Sequence, residues 1–330
     1  MKTPGFWYRP AGPLAWLLAP LGSLYGLSVR RRFATAVPQR AGVPVMCVGN
    51  LVAGGAGKTP VAIAVAEALA GRGRVAHFLT RGHGGALRGP VAVDPARHTA
   101  TDVGDEALLL AAHAPTWVAR DRVAGARAAA AAGAQAVVMD DGFQNPHLTK
   151  NLSLVVVDGT AGFGNGFQVP AGPLREPVAR GLARADAVVV MGEDRAGIAA
   201  RVAPTPVLHA RLEPADTDLS GKRVLAFAGI GRPEKFFATL RGLGADVVET
   251  AAFADHHPYT EGEVRHLLER ADAAGALAVT TAKDAVRLPP ALRERVRTLP
   301  VRAVWADGGA LEALLDRLFI EGGGTRGEAA

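Results

Sequence analysis

Val45-Met46-Cys47-Val48-Gly49-Asn50-Leu51-Val52-Ala53-Gly54-Gly55-Ala56-Gly57-Lys58-Thr59-Pro60 is the stretch whose reading decides the fold. An apolar run ends in glycines, a Gly-Lys-Thr triplet follows, and an alanine-rich helical pattern runs from Val61 to Ala70. Strand, glycine-rich turn and helix in that order form a phosphate-binding P-loop. Glycines let backbone N–H groups turn inward around an anion, and the helix N-terminus adds partial positive charge. Lys58 is then placed to reach the β- and γ-phosphates of a nucleotide, and the Thr59 hydroxyl to sit on Mg²⁺. The usual spacing has a glycine where this chain has Val52, so Gly54, Gly55, Ala56, Gly57, Lys58 and Thr59 make a compact variant. The bland alternative is a glycine-rich turn that binds nothing. The order of the three parts argues against it, and so does a second motif downstream.

That second motif is Ala136-Val137-Val138-Met139-Asp140-Asp141-Gly142-Phe143-Gln144-Asn145. An apolar strand ending in aspartate, downstream of a P-loop, is the Walker-B arrangement, whose carboxylate holds Mg²⁺ directly or through water. Between the two motifs, Arg74–Thr80 predicts a strand that ends in the flexible loop Arg81-Gly82-His83-Gly84-Gly85. Ligands of open α/β sheets gather at such ends, so Arg81 and His83 are candidates for a phosphate or substrate contact, or a solvated turn. Asp102-Val103-Gly104-Asp105-Glu106 opens a helix, where paired carboxylates also simply suit the helix dipole. Further strands are expected at Thr116–Ala119, Leu154–Asp158 and Ala187–Met191. The proline-stiffened run from Gly162 to Pro177 has no helical periodicity, and loops of that length are commonly functional. Arg175 within it can clamp a phosphate or pair with Glu176.

A new α/β pattern starts around Glu213–Lys222. It predicts strands at Val224–Ile230, Ala245–Thr250, Leu277–Thr281 and Val301–Ala306, with helices at Pro233–Leu243, Glu261–Ala273 and Gly308–Phe319. Asp255-His256-His257 invites a zinc reading, but no further Cys or His stands at ligand spacing nearby. Thr281-Ala282-Lys283-Asp284 is similar to a guanine-reading motif but lacks the residue between Lys and Asp, which favours ATP over GTP. The chain of 330 residues, 49% hydrophobic and 21% charged, is large enough for two domains. Its net charge of +6 comes almost wholly from arginine, with no basic tract interleaved with aromatics, so nucleic acid is disfavoured. The single Cys47 permits no disulfide within the chain and suits a reducing compartment.

From Pro10 to Val29 the chain carries no charge; Phe6, Trp7 and Tyr8 precede this run and Arg30-Arg31-Arg32 follow it. Its length would just span a bilayer core, but Pro13, Pro20 and three glycines weaken it as one continuous helix. Edge aromatics and a basic cluster suit an interfacial or shallowly inserted anchor. A cleaved signal peptide and a buried core helix are the alternatives. The arginines between the apolar run and Ala34-Thr35-Ala36 argue against cleavage.

Several of these motifs together resemble the tetraacyldisaccharide 4′-kinases, the lipid A kinases of Gram-negative bacteria. They are Gly54–Pro60, Asp102–Glu106, Asp140–Gln144, Pro170-Ala171-Gly172-Pro173-Leu174-Arg175-Glu176-Pro177, Phe253–His256 and Thr281–Asp284, within a resemblance running to about Leu288. It implies an α/β fold: a P-loop NTPase-like core sheet with helices on both faces, a smaller α/β C-terminal domain and an N-terminal membrane-associated helix. The expected division is 1–35 for the helix, 36–215 for the kinase core, 216–321 for the C-terminal domain and 322–330 for a disordered tail. The implied reaction moves the γ-phosphoryl of ATP, with Mg²⁺, to the 4′-hydroxyl of an acylated disaccharide 1-phosphate, giving lipid IVA at the cytoplasmic face of the inner membrane. No obligate protein partner is implied. Asp105 is expected as base with His256 orienting it, and Lys58 and the loop amides on the phosphates. Thr59, Glu106, Asp140 and Asp141 are expected around the metal, and Arg175 and Glu176 on nucleotide or substrate. A partitioning-type ATPase switch on the membrane and a soluble small-molecule kinase are the other readings. The switch normally carries a lysine where this chain has Ala53.

Overall fold

The computed structural model describes residues 4–214 and 218–320. In chain order its strands are β1 (Val45–Gly49), β2 (Ala76–Thr80), β3 (Val91–Ala92), β4 (Thr116–Val118), β5 (Ala136–Asp140), β6 (Leu152–Asp158), β7 (Ala187–Met191) and β8 (Val207–Pro214). There follow β9 (Arg223–Ala228), β10 (Asp246–Ala252), β11 (Leu277–Thr281), β12 (Arg297–Leu299) and β13 (Val301–Trp305). Among the described residues they form two sheets, one of nine strands ordered β13-β8-β7-β6-β1-β5-β2-β4-β3 and one of four ordered β10-β9-β11-β12.

The apolar runs read from sequence are the central strands. β1, β2, β5 and β7 are buried along their whole length, as expected for parallel strands covered on both faces. Met46 and Val48 point to one face, where the helices Lys58–Ala70 and Gly308–Ile320 lie. Val45 and Cys47 point to the other, with the helix Arg122–Ala131. β1 sits between β5 and β6, both parallel to it. The chain therefore leaves β1 for β2 on one side while β6 lies on the other, which is a topological switch point. Ligands bind outside the carboxyl ends of such strands, and Gly49, Asp140 and Asp158 all stand at those ends.

The four-stranded sheet is parallel throughout and has its own core on each face. The expected second domain runs too far. One residue after β12, β13 returns to the large sheet and pairs antiparallel with β8, Val301 opposite Pro214. Ala303 and, from the closing helix, Leu311, Leu315 and Leu318 join the core around the helix Lys58–Ala70. A continuing strand–helix rhythm does not reveal which sheet a strand joins. β8 is also absent from the sequence reading, because it is partly exposed and carries no continuous apolar run. The expected boundary at 215/216 and the tail 322–330 lie outside the described residues.

The N-terminal apolar run is one helix, Pro13–Thr35, despite Pro20 inside it. Ala15, Gly22 and Val29, seven residues apart, are buried. A side chain on Gly22 would come within 2.8 Å of the Gln168 carbonyl oxygen. The small-residue face thus lies on the Gly162–Pro177 loop, with Trp16 packed edge-on against Phe167. Leu14, Trp16, Leu17, Leu21, Leu24, Tyr25 and Leu27 face outward and are exposed. Among the described residues no helix is long and apolar enough to cross a membrane.

Gly49 ends β1 because Phe143 passes over it: a Cβ there would lie 2.4 Å from the Phe143 Cβ. Gly49→Ala should lower the thermal midpoint, consistent with about 1–3 kcal/mol of overpacking. Gly262→Ala, at an exposed helical position open to within 4 Å, should raise it, by about 0.5–1 kcal/mol. Differential scanning fluorimetry on the two variants checks both signs.

Candidate active site

The P-loop follows β1 directly. Gly54 and Gly57 have φ of 125° and 86°, a left-handed region that side chains disfavour. Asn50 Nδ2 donates to the Gly54 carbonyl at 3.2 Å and closes the turn. Gly54 and Gly55 are exposed and Ala56 tucks into the core, so the loop opens outward. Its outer side is held by the proline-rich segment. Ala53 N–H donates to the Pro173 carbonyl and Arg175 N–H to the Leu51 carbonyl, both at 2.7 Å. This short ladder is what brings Arg175 to the acid pair.

The two aspartates divide. Asp140, the last residue of β5, is 1% exposed and accepts from the Thr59 hydroxyl at 2.8 Å through Oδ2; its Oδ1 has no partner. Asp141 has a φ of 53°, which swings its side chain away. Arg175 grips both its oxygens at 2.7 and 3.2 Å, and the Lys58 ammonium lies 3.8 Å off. Burial works against the Asp141 charge, but Lys58 and Arg175 hold its carboxyl down to about 2. For Asp140, burial first and the Glu106 charge second push the carboxyl well above its usual range. An orphaned buried oxygen beside a hydroxyl and a second carboxylate fits Mg²⁺. Among the described residues no three His, Cys, Asp or Glu side chains converge on one point. Mg²⁺ is usually held by one or two carboxylates with phosphates and water.

Two expected roles move. Asp141 is taken up by arginine and lysine, so it is a poor metal ligand compared with Asp140. Glu176 turns into the protein, away from solvent. It is 0% exposed, both its oxygens lie 2.8 Å from Arg184, and Gln144 donates to it at 3.1 Å. Its work is to hold Gln144, which in turn donates to the Asn50 carbonyl and accepts from Arg175. Nor does Arg175 pair with Glu176; it reaches Asp141 instead.

The second half of the site comes from the small domain. Asp105 begins the helix Asp105–Ala111 and is 3% exposed. Its Oδ1 accepts the Glu106 N–H, and its Oδ2 lies 2.8 Å from His256 Nδ1, in the loop after β10. His256 has a φ of 58°; it and Asp141 are the two non-glycine residues with positive φ among the described residues. Such strain is characteristic of functional positions. Lys283 and Arg287 were not expected here. Lys283 Nζ sits 3.3 Å from Glu106 Oε1 and 3.2 Å from His256 Nε2, and Arg287 Nε lies 3.5 Å from Asp105 Oδ2. An ammonium only donates, so His256 accepts at Nε2 and donates from Nδ1 to Asp105. Burial disfavours the Asp105 charge, but the His256 hydrogen bond and the Lys283 and Arg287 charges together hold its carboxyl below the usual range. The signal for Lys283 lies in Thr281–Asp284, a motif of the resemblance that by itself assigns the lysine no place in the site.

Of the remaining candidates, the His83 ring lies 6.1 Å from that of His256, while Arg81 is exposed. On the far flank of the P-loop the domains meet again. Arg232 and Lys235 lie 3.3 and 3.4 Å from Asp158 Oδ2, and Arg232 stacks over Tyr8. A Cβ on Gly54 would lie 3.7 Å from the Tyr8 hydroxyl. The cleft between the two domains is therefore bounded on both sides by charge pairs.

The family model described as tetraacyldisaccharide-1-P 4′-kinase matches residues 14–319. The chain is similar to the tetraacyldisaccharide 4′-kinase of Rhodospirillum centenum, 59% identical with 100% of both chains covered. It is 57% identical to that of Rhodospirillum rubrum, over 97% of this chain and 98% of the other. Among solved structures it resembles LpxK from Aquifex aeolicus, described as an "apo" form in complex with ATP. The TM-score is 0.74 at 25% identity, covering 93% of this chain and 99% of that one.

The Glu176 assignment separates stability from chemistry. Arg184→Ala strands a fully buried carboxylate and should cost about 3–5 kcal/mol, as removal of one partner of a buried pair does. Arg175→Ala, on a more open pair, should leave the unfolding midpoint near wild type and lower turnover instead. Urea denaturation beside an activity assay reads the contrast, and an Arg184→Ala midpoint equal to wild type contradicts it.

Proposed function

The chain belongs to the tetraacyldisaccharide-1-P 4′-kinase family, and we propose that it transfers the γ-phosphoryl of ATP to the 4′-hydroxyl of a tetraacylated disaccharide 1-phosphate. The observation that carries this reading is the 2.8 Å contact between Asp105 and His256, drawn from two domains to the mouth of the P-loop. A phosphate-binding loop alone serves many reactions. A buried carboxylate kept ionised beside it is suited to an acceptor whose proton must be removed.

In the reaction the bond from the γ-phosphorus to the β,γ-bridging oxygen breaks and ADP leaves with the electron pair. The 4′ oxygen forms the new bond to phosphorus, and its proton passes to Asp105. His256 donates to Asp105 Oδ2 and fixes that carboxylate's orientation. Lys58 and the amides of Gly54–Thr59 neutralise the β- and γ-phosphates. Thr59, Asp140 and Glu106 would hold Mg²⁺, which supplies charge neutralisation at the phosphates. Arg175 holds Asp141 and keeps a positive charge at the loop's edge. Water must be kept out, or ATP is hydrolysed instead; closure of the cleft between the domains serves that end.

An acylated sugar leaves a bilayer at a cost of about 0.8 kcal/mol per methylene exposed, so the enzyme must go to the lipid. The helix Pro13–Thr35 is built for this. Its small residues face the protein, its leucines and Trp16 face out, and Arg30, Arg31 and Arg32 stand at one end, all exposed. Such a helix lies in the interface, with the arginines toward anionic headgroups on the cytoplasmic face.

Incubation with γ-labelled ATP and tetraacyldisaccharide 1-phosphate in mixed micelles should give a labelled lipid phosphorylated at the 4′ position. Release of labelled phosphate with no labelled lipid would favour an ATPase switch and overturn the reading. Asp105→Ala should reduce turnover by about 10²–10⁴-fold while nucleotide affinity persists. Leu17→Ser with Leu21→Ser and Leu24→Ser should abolish flotation with anionic vesicles yet keep activity on a short-chain acceptor. Undiminished flotation would remove the helix from that role.

A further inference from the structure

The Thr281–Asp284 turn has no part in the mechanism above, yet it is firmly built. Asp284 is 0% exposed and accepts from the Gly229 N–H at 2.8 Å, the Tyr259 hydroxyl at 2.9 Å and Arg287 at 2.6 Å. The Thr281 hydroxyl also bonds it. Arg287 goes on to the Gly229 and His257 carbonyls. A buried carboxylate with so many donors fixes the one-turn helix Ala282–Ala285, and Lys283 projects from it across the interdomain cleft. Its ammonium rests between Glu106 Oε1 and His256 Nε2 with its side chain 26% exposed.

We propose that Lys283 is a further catalytic residue, a lysine that the small domain carries onto the γ-phosphoryl group during transfer. This rests on the kinase reading. Glu106 is in the proposed metal set, so the carboxylate that now holds the Lys283 ammonium is one that a divalent ion would claim. Two cations on one carboxylate repel each other, and the terminal phosphoryl group of a nucleotide bound with that ion offers the lysine another anion. Two of the three ammonium donors are engaged at Glu106 and His256, which leaves a third. Lys283 moves no proton. It supplies charge where the equatorial oxygens need it, as an arginine finger does in other phosphoryl transfers. Because it belongs to the small domain, it arrives only when the domains are together. An open enzyme with ATP bound therefore lacks this charge and hydrolyses ATP slowly.

Lys283→Met removes the charge and keeps the length. With Mg²⁺ present, calorimetry should find ADP affinity unchanged. Affinity for a non-hydrolysable ATP analogue that retains the γ-phosphate should fall about tenfold, equivalent to 1.4 kcal/mol. Single-turnover transfer should slow by about 10²–10³-fold, as when one fixed donor to a developing charge is lost. Lys283→Arg should recover part of both. Equal loss of ADP and analogue affinity would mark a structural role and overturn the proposal, as would transfer within about threefold of wild type. Should Lys283→Met not fold, Lys283→Gln is read by the same two measurements. If wild-type enzyme labels no disaccharide at all, it is the kinase reading that fails. If wild type labels it and the variant does so equally well, only Lys283 falls.

Discussion

A buried carboxylate must be answered by positive charge or hydrogen-bond donors, and for Asp105 most of the answer comes from another domain. The side chain is almost wholly out of water, and among the described residues its own domain supplies only the Glu106 N–H. His256 and Arg287 meet its second oxygen, and Lys283 meets the neighbouring Glu106. An unpaired charge at that depth is costly enough that the group would instead take up a proton. The same contact that keeps Asp105 ionised therefore ties the small domain to the large one. Arg232 and Lys235 repeat the arrangement on Asp158 at the other flank of the P-loop, so the cleft is bridged on both sides of the phosphate-binding turn.

Within the large domain the chemistry follows from strand order. β1 lies between β5 and β6, which sets a phosphate-binding turn beside the end of a strand carrying two aspartates. Consecutive residues there cannot serve one purpose, because the chain turns at Asp141 into a left-handed conformation. Asp140 stays with Thr59, while Asp141 goes to Arg175 and Lys58. The Gly162–Pro177 loop feeds both halves of this design. It pairs with the edge of the P-loop, buries Glu176 against Arg184, and offers Gln168 and Phe167 as the seat of the N-terminal helix. The apolar N-terminal helix and the P-loop thus share one support.

The helix Pro13–Thr35 inverts the usual pattern of a surface helix. Its alanine and glycines are inside and its leucines outside, because close approach to the Gln168 backbone admits nothing larger than glycine at Gly22. An exposed apolar face of this kind marks a surface meant for a partner or a membrane.

By itself the sequence determined the P-loop, the acid-ended strand and the presence of two α/β units. These are local matters or patterned ones: a glycine-lysine-threonine turn, an apolar strand and a helix repeat are written in consecutive residues. Only the tertiary structure decided that Asp140 and Asp141 part company and that Glu176 is sealed against Arg184. The same holds for Lys283 and Arg287 crossing into the site, and for β13 returning to the large sheet. Each of those depends on which strand lies beside which, and on how much water remains around a charge once the domains have met. Neither is encoded in residue spacing. Both arise from packing among residues far apart in the chain (Lys283 and Glu106 are separated by 177 positions), whose partners are settled only when the chain is folded.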